Sequence, residues 1–343
     1  MIAVLIKKGG AGKTTLVLLL ADAFSRFGLS VLMVDTDAQG NLSTGAGRSV
    51  NKIAGPPDPF GRPTEVPDVT TVIEVINSGE PGVAAHAMTE VDWDDYRDPS
   101  ASWFKGGPLR GRFGQIWIIP CYEMIETIAK TWTPGDLAAL KRALTEADPA
   151  EPQSVPPNAT VDVVLLDTPP GGSDIGRQAA KAASLALMVT TAEKFGIGAI
   201  PTTLTYIEDI RRQYDHPDLE LLDLLINEYK PQRTGESANV RDVTEAQHSG
   251  TLPISTYPHS LPERTVIPDS QSAEAPVSAY LASSDRRGQA TRVCIVVEAL
   301  ALDLLDRMGH PLATQIRAQW EKAWGADRIA EALEGSRVMG ALS

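Results

Sequence analysis

The chain has 343 residues, 43% of them apolar and 22% charged, with a formal net charge of −13. These values suit a globular protein large enough for one big α/β domain or two ordinary ones, and they exclude a disordered chain, a collagen-like chain and a disulfide scaffold. The acidic balance argues against a surface that coats nucleic acid, because neutralising phosphates needs clustered Lys and Arg; only a local basic patch fits.

Ala3 to Ile6 is a short apolar run, followed by a glycine-rich turn and by a helix over residues 13 to 27 that Gly28 stops. That helix carries Leu16-Val17-Leu18-Leu19-Leu20-Ala21, a run too short to span a membrane, and the start lacks the order of regions of a signal peptide. Val31 to Val34 is a second apolar run. Both runs have the character of parallel strands covered on both faces, so the opening is a βαβ unit. Glycine and proline crowd residues 48 to 66, which predicts a surface loop, and helical patterning resumes at Thr70 to Ile76. Residues 92 to 113, with Trp93, Trp103 and Phe104 among polar neighbours, form a second irregular insertion.

The third strand falls at Gln115 to Pro120, helices at about 122 to 131 and 135 to 147, a connector at Pro149 to Pro157, and another apolar strand at Val161 to Asp167. Strands at 185 to 190, 219 to 226 and near 253 to 256 then alternate with helices at 197 to 213 and near 239 to 248. A long helix at 288 to 308 follows, then an amphipathic helix at 312 to 334 with Ile316, Trp320, Trp324, Ile329 and Leu333. This alternation predicts an α/β fold, a doubly wound, mostly parallel sheet flanked by helices, with ligands at the carboxyl ends of its strands. The simplest organisation is one domain over residues 1 to 310, with the two insertions, and a helical C-terminal extension over 311 to 343. Cys121 and Cys294 stand far apart and form no C-x-x-C pair, so a cytoplasmic location is expected and a thiolate metal site has no support.

Gly9, Gly10, Ala11 and Gly12 lie between a strand and a helix, where successive backbone N–H groups close around phosphate and the helix N-terminus favours negative charge. Lys13 supplies a cation for phosphate oxygens and Thr14 a hydroxyl for Mg²⁺. The glycines alone would suit a plain tight turn. The general P-loop pattern wants Gly at position 7, yet the chain has Lys7 and then Lys8.

The run Lys8-Gly9-Gly10-Ala11-Gly12-Lys13-Thr14-Thr15 resembles the K-G-G-x-G-K-[ST] loop of the deviant Walker A group of P-loop NTPases, the ParA and MinD ATPases. The resemblance implies that Lys8 is the signature lysine, reaching across an ATP-bound homodimer to the partner's phosphates. A lysine given in trans offsets the doubled charge only when both subunits and ATP are present; a solvated surface charge is the plainer reading. Asp35-Thr36-Asp37-Ala38-Gln39-Gly40-Asn41 resembles the ParA run D-x-D-P-Q-G-N, with Ala38 for the proline. That match gives Asp37 the water-orienting role and Asp35 a share in the metal shell, although Asp also caps turns. Leu165-Leu166-Asp167-Thr168-Pro169-Pro170 resembles the Walker B segment that brings a carboxylate, here Asp167, to Mg²⁺, with Gly171 and Gly172 in the turn beyond it. Asn227 and Pro258 stand where the family contacts adenine, and both also suit ordinary turns.

What the resemblance implies is an ATPase that forms ADP and phosphate slowly without a partner, binds non-specific DNA as an ATP-bound dimer, and partitions plasmid or chromosome DNA with a ParB-like protein; it would then be nucleoid-associated. The first strand opens at once, so an N-terminal helix-turn-helix and operator-specific repression are not expected. Arg264, Arg286, Arg287 and Arg292 are the candidate DNA contacts, with Arg211 and Arg212 as outsiders, and each equally suits a solvated charge. The alternatives are a positioning ATPase for a non-DNA cargo and a metabolic ATP-dependent ligase. An iron-sulfur relative lacks its cysteines here. Membrane attachment is not expected, since the tail Arg337 to Ser343 holds one basic residue.

Overall fold

Four strands whose every residue is buried form the centre of the computed structural model: β1 (Ile2–Leu5), β2 (Val31–Asp35), β7 (Val163–Asp167) and β8 (Leu185–Thr191). The structure describes all residues except 58, 94–95, 97–112, 123–136, 149–154, 214, 231, 263 and 339–343. Outward from the centre lie β6 (Ile116–Ile119) and β5 (Thr89–Glu90) on one side, and β9 (Glu220–Leu221) and β10 (Leu225–Asn227) on the other. The order is β10-β8-β1-β7-β2-β6-β5, with β9 also on β8, and every pairing is parallel except β5 with β6 at the edge.

Side chains alternate across a strand, so each strand feeds two cores. Ile2, Val4, Val31, Met33, Leu165 and Leu187 face a cluster with helix α1 (Lys13–Arg26) and the long helix Arg287–Arg307. Ala3, Leu5, Leu32, Val34, Leu166 and Met188 face the opposite cluster, with the helices Val72–Ser78, Ala139–Thr145, Asp174–Ala182 and Ile200–Gln213. The first of these begins at a capping box in which Thr71 and Glu74 exchange side-chain contacts. The register places Asp35 beside Asp167 at the carboxyl edge of the sheet.

Four expectations need correction. The glycine- and proline-rich segment 48 to 66 is a hairpin, β3 (Lys52–Gly55) against β4 (Thr64–Pro67), rather than a loop. Its strands are exposed or half-buried, so they carry no apolar face to mark them. The strand expected at 219 to 226 is split into β9 and β10, and residues 253 to 256 give only an isolated bridge, Leu224 with Thr256. The helix expected at 312 to 334 is two, Ala313–Trp324 and Ala326–Glu334, broken at Gly325 with φ 79°. Helices Val83–Ala87 and Lys194–Gly198 and strand β5 were not foreseen. The helix expected near 122 to 131, Trp103, Phe104 and most of the proline-rich connector lie outside the described residues.

Residues 313 to 332 share the core of α1. Trp320 and Trp324 donate their indole N–H groups to Glu298 Oε2 at 2.9 and 2.6 Å, and Glu298 is ion-paired with Arg26, the last residue of α1. Among the described residues no helix is long and apolar enough to cross a membrane.

Candidate functional site

Strand β1 ends one turn before α1, and the loop between them bends through left-handed conformations at Gly10 (φ 70°) and Gly12 (φ 89°). Gly12 is also hemmed in: a Cβ there would lie 2.2 Å from Asn227 Nδ2. On the side away from Asn227 the loop borders a cleft of about 620 Å³. Residues 9 to 15 form its floor, Asp37, Gln39, Asn41 and Thr44 one wall, and Pro268, Gln271 and Ser272 another.

Lys13 is 6% exposed, and its ammonium donates to the Lys8 carbonyl at 3.3 Å. Burial lowers its pKa, against the opposing pull of Asp167 and Asp37. Thr14 Oγ1 donates to Asp167 Oδ2 at 2.6 Å. Asp167 is fully buried, its Oδ1 has no hydrogen-bond partner, and burial first and Asp35 second push its pKa up to about 8. Asp167 does not itself line the cleft and meets it through Thr14; a buried, underused carboxylate beside a hydroxyl is suited to a cation. Among the described residues no three His, Cys, Asp or Glu side chains are grouped to hold a metal; Thr14 and Asp167 would supply only part of a cation's shell, the rest being water or ligand oxygens.

Asp35, the other carboxylate expected in the metal shell, is hydrogen-bonded by its own turn. Its Oδ2 accepts from the Ser43 backbone and hydroxyl at 2.9 and 2.7 Å, and its Oδ1 accepts from the Asp37 N–H at 3.1 Å. It does not line the cleft, and burial pushes its pKa up to about 6. Asp35 thus shapes the turn that presents Asp37. Asp37 lines the cleft and accepts the Gln39 N–H at 3.1 Å. Lys8 immediately precedes the lining residues and does not itself line the cleft; its ammonium is 3.5 Å from Glu193.

The two residues expected at adenine do not line the cleft. Asn227 donates to the Ala11 carbonyl at 3.2 Å and so props the loop from behind, while the Pro258 carbonyl accepts the Val338 N–H at 2.8 Å. The wall that sequence reasoning missed comes from the short helix Val266–Ser272, where Gln271 Nε2 donates to Thr15 Oγ1 at 2.9 Å. Nothing local marks it: three unremarkable residues reach the cleft because the chain folds back over α1.

The candidate arginines come together near the start of the helix Arg287–Arg307, and acidic partners come with them. Arg286 pairs with Asp269 at 3.1 Å and Arg292 with Glu331 at 3.5 Å. Burial and then Arg292 lower the pKa of Arg264, and Arg287 is exposed. Arg211 and Arg212 are held by Glu208 on their own helix.

Residues 2–277 match the family model of the CobQ/CobB/MinD/ParA nucleotide binding domain. The chain is similar to the chromosome partitioning protein ParA of Caulobacter vibrioides, at 24% identity over 280 residues, covering 82% of this chain and 86% of that one. In structure it is similar to the septum site-determining protein MinD of Pyrococcus horikoshii, solved with Mg-ADP (TM-score 0.55, 20% identity, 90% and 96% of the chains), and to cobyrinic acid a,c-diamide synthase of Mycobacterium smegmatis, solved with ADP and magnesium (0.54, 22%, 83% and 96%). The family model covers most of the chain, so the chain belongs to the CobQ/CobB/MinD/ParA nucleotide-binding family.

Proposed function

We propose that the chain is a positioning ATPase that binds ATP with Mg²⁺, closes into a homodimer on it, and in that state binds DNA non-specifically to partition plasmid or chromosome DNA. A ParB-like partner would stimulate hydrolysis and end the DNA-bound state. The observation that carries the nucleotide part is the unpartnered oxygen of Asp167 beside the Thr14 hydroxyl, below the buried ammonium of Lys13. Residues 9 to 15 would cradle the phosphates through their N–H groups, with Lys13 offsetting the charge that builds up on transfer to water. Thr14 and Asp167 would hold Mg²⁺, which when bound supplies further charge neutralisation. Asp37, fixed by the turn that Asp35 ties, would orient the attacking water.

Lys8 is the residue left for a second subunit. Its ammonium is paired, among the described residues, with the exposed carboxylate of Glu193, and Phe195, 82% exposed just beyond Glu193, adds apolar surface that a second copy would cover. Dimerisation would then complete the site, and hydrolysis would stay slow in the monomer.

DNA partition rests on the likeness to ParA and on the arginines gathered near residue 287. One observation favours a second reading, a positioning ATPase for a cargo other than DNA: two of those arginines are already paired with Asp269 and Glu331 on a chain of net charge −13. Co-sedimentation with non-specific duplex DNA at stated salt, with ATP, ADP or neither, separates the two. The partition reading predicts binding with ATP alone, lost in Lys8→Ala. ATP hydrolysis without DNA binding in any nucleotide state would leave the cargo reading.

A further inference from the structure

The C-terminal extension returns to the ligand edge of the sheet. Ser260 donates its N–H to the Ser336 carbonyl at 2.7 Å, Val338 donates to the Pro258 carbonyl at 2.8 Å, and His259 and Arg337 form an antiparallel bridge between them. The His259 ring donates to the Leu333 carbonyl at 3.0 Å. Val338 is 2% exposed and packs with Ala192, Ile226, Tyr229 and Val240. Ala192 follows β8, Ile226 belongs to β10, Tyr229 follows it and Val240 lies on the helix Thr234–His248, so the last described residues fill a socket at the carboxyl end of β8 and β10.

From that socket a ladder of hydrogen bonds runs to the phosphate loop. Leu261, next to the strapped segment, donates to the Ile226 carbonyl at 3.3 Å and accepts the Glu228 N–H at 3.0 Å. Asn227, between those two residues, donates to the Ala11 carbonyl and fills the space beside Gly12. Glu228 has φ 56°, a left-handed conformation that a non-glycine residue keeps only where its surroundings enforce it. The turn after Asn227 is tied to Leu261 by the Glu228 N–H, and Tyr229 beyond it shares the cluster of Val338.

We propose that Ser336–Val338 is a positioning element of the nucleotide site: by clamping residues 258 to 260 it fixes Asn227, and through Asn227 the loop at Ala11 and Gly12. The proposal rests on the nucleotide reading of the cleft. Removing the clamp should weaken nucleotide binding while leaving Lys13, Thr14 and Asp167, which touch the phosphates and cation, intact. The strap can be loosened without undocking the extension, because Trp320 and Trp324 anchor it separately on Glu298.

The test compares unaltered protein, Val338→Asp and Val338→Ile by ADP titration, by ATPase kinetics, and by amide hydrogen exchange with and without ADP. Val338→Asp should weaken ADP binding by about tenfold, within the usual span of coupling between linked sites. It should also raise KM for ATP with kcat unchanged, while Val338→Ile keeps near-normal affinity. Reciprocally, ADP should slow exchange at the Ser260 and Val338 amides of the unaltered protein. Equal ADP affinity in Val338→Asp and the unaltered protein overturns the proposal. If Val338→Asp does not fold, the exchange experiment decides, and unchanged protection at Ser260 and Val338 overturns it. Absence of ADP binding by the unaltered protein would instead bring down the nucleotide reading, and the strap with it.

Discussion

Asp167→Asn should make the nucleotide-free protein more stable, and increasingly so as pH rises. The native carboxyl keeps its proton up to about pH 8, whereas in the unfolded chain it loses it near 3.8. Between those values the folded state binds one proton more than the unfolded state, so Asp167 makes stability fall with rising pH by about 1.4 kcal/mol per unit. At pH 7 the accumulated penalty is about 4 kcal/mol, large against the marginal stability of a domain. Asparagine matches the neutral carboxyl in shape, can still accept from Thr14, and carries no such penalty. Urea unfolding with EDTA and no nucleotide, at pH 5 and pH 7.5, should show the variant's advantage growing by about 3 kcal/mol between the two. An advantage independent of pH, or a variant less stable at both, would refute the view that Asp167 is held protonated and short of partners while it awaits a cation. The Asp35 carboxyl, raised to about 6, adds a slope of the same sign below that pH in both proteins and so leaves the comparison intact.

Lys13→Ala should weaken ADP binding by about ten- to a hundredfold in calorimetric titration, the value of a lost charged hydrogen-bond donor. Gly12→Ala should bind nucleotide far more weakly still and unfold earlier in a thermal scan, because its Cβ would lie 2.2 Å from the Asn227 amide at a left-handed φ of 89°. Glu298→Ala should cost about 3–5 kcal/mol in urea unfolding, since it removes the buried carboxylate that pairs with Arg26 and accepts two indole N–H groups.

How much of this was legible follows from how local the signals are. The phosphate loop, Asp37 and Asp167 are written in short runs, because a loop that approaches phosphate needs glycines and a cation within a few residues, and a carboxylate must end a strand beside it. The sheet was equally legible, since parallel strands buried on both faces leave unbroken aliphatic runs. The Gln271 wall, the Asn227 prop and the strap at Val338 were not, because each joins residues far apart in sequence and uses ordinary side chains. Asp35 shows the same limit: a motif shows that a carboxylate is present, but only the fold shows that Ser43 and Asp37 hydrogen-bond it. The break at Gly325 could have been read, since glycine interrupts an otherwise periodic pattern there.

The central claim, a switch thrown by nucleotide through Lys8, is tested most directly by sedimentation velocity with Mg-ATP, with Mg-ADP and without nucleotide. The account predicts a dimer with ATP alone and a Lys8→Ala variant that binds ATP yet stays monomeric. The same sedimentation coefficient in all three states would contradict it.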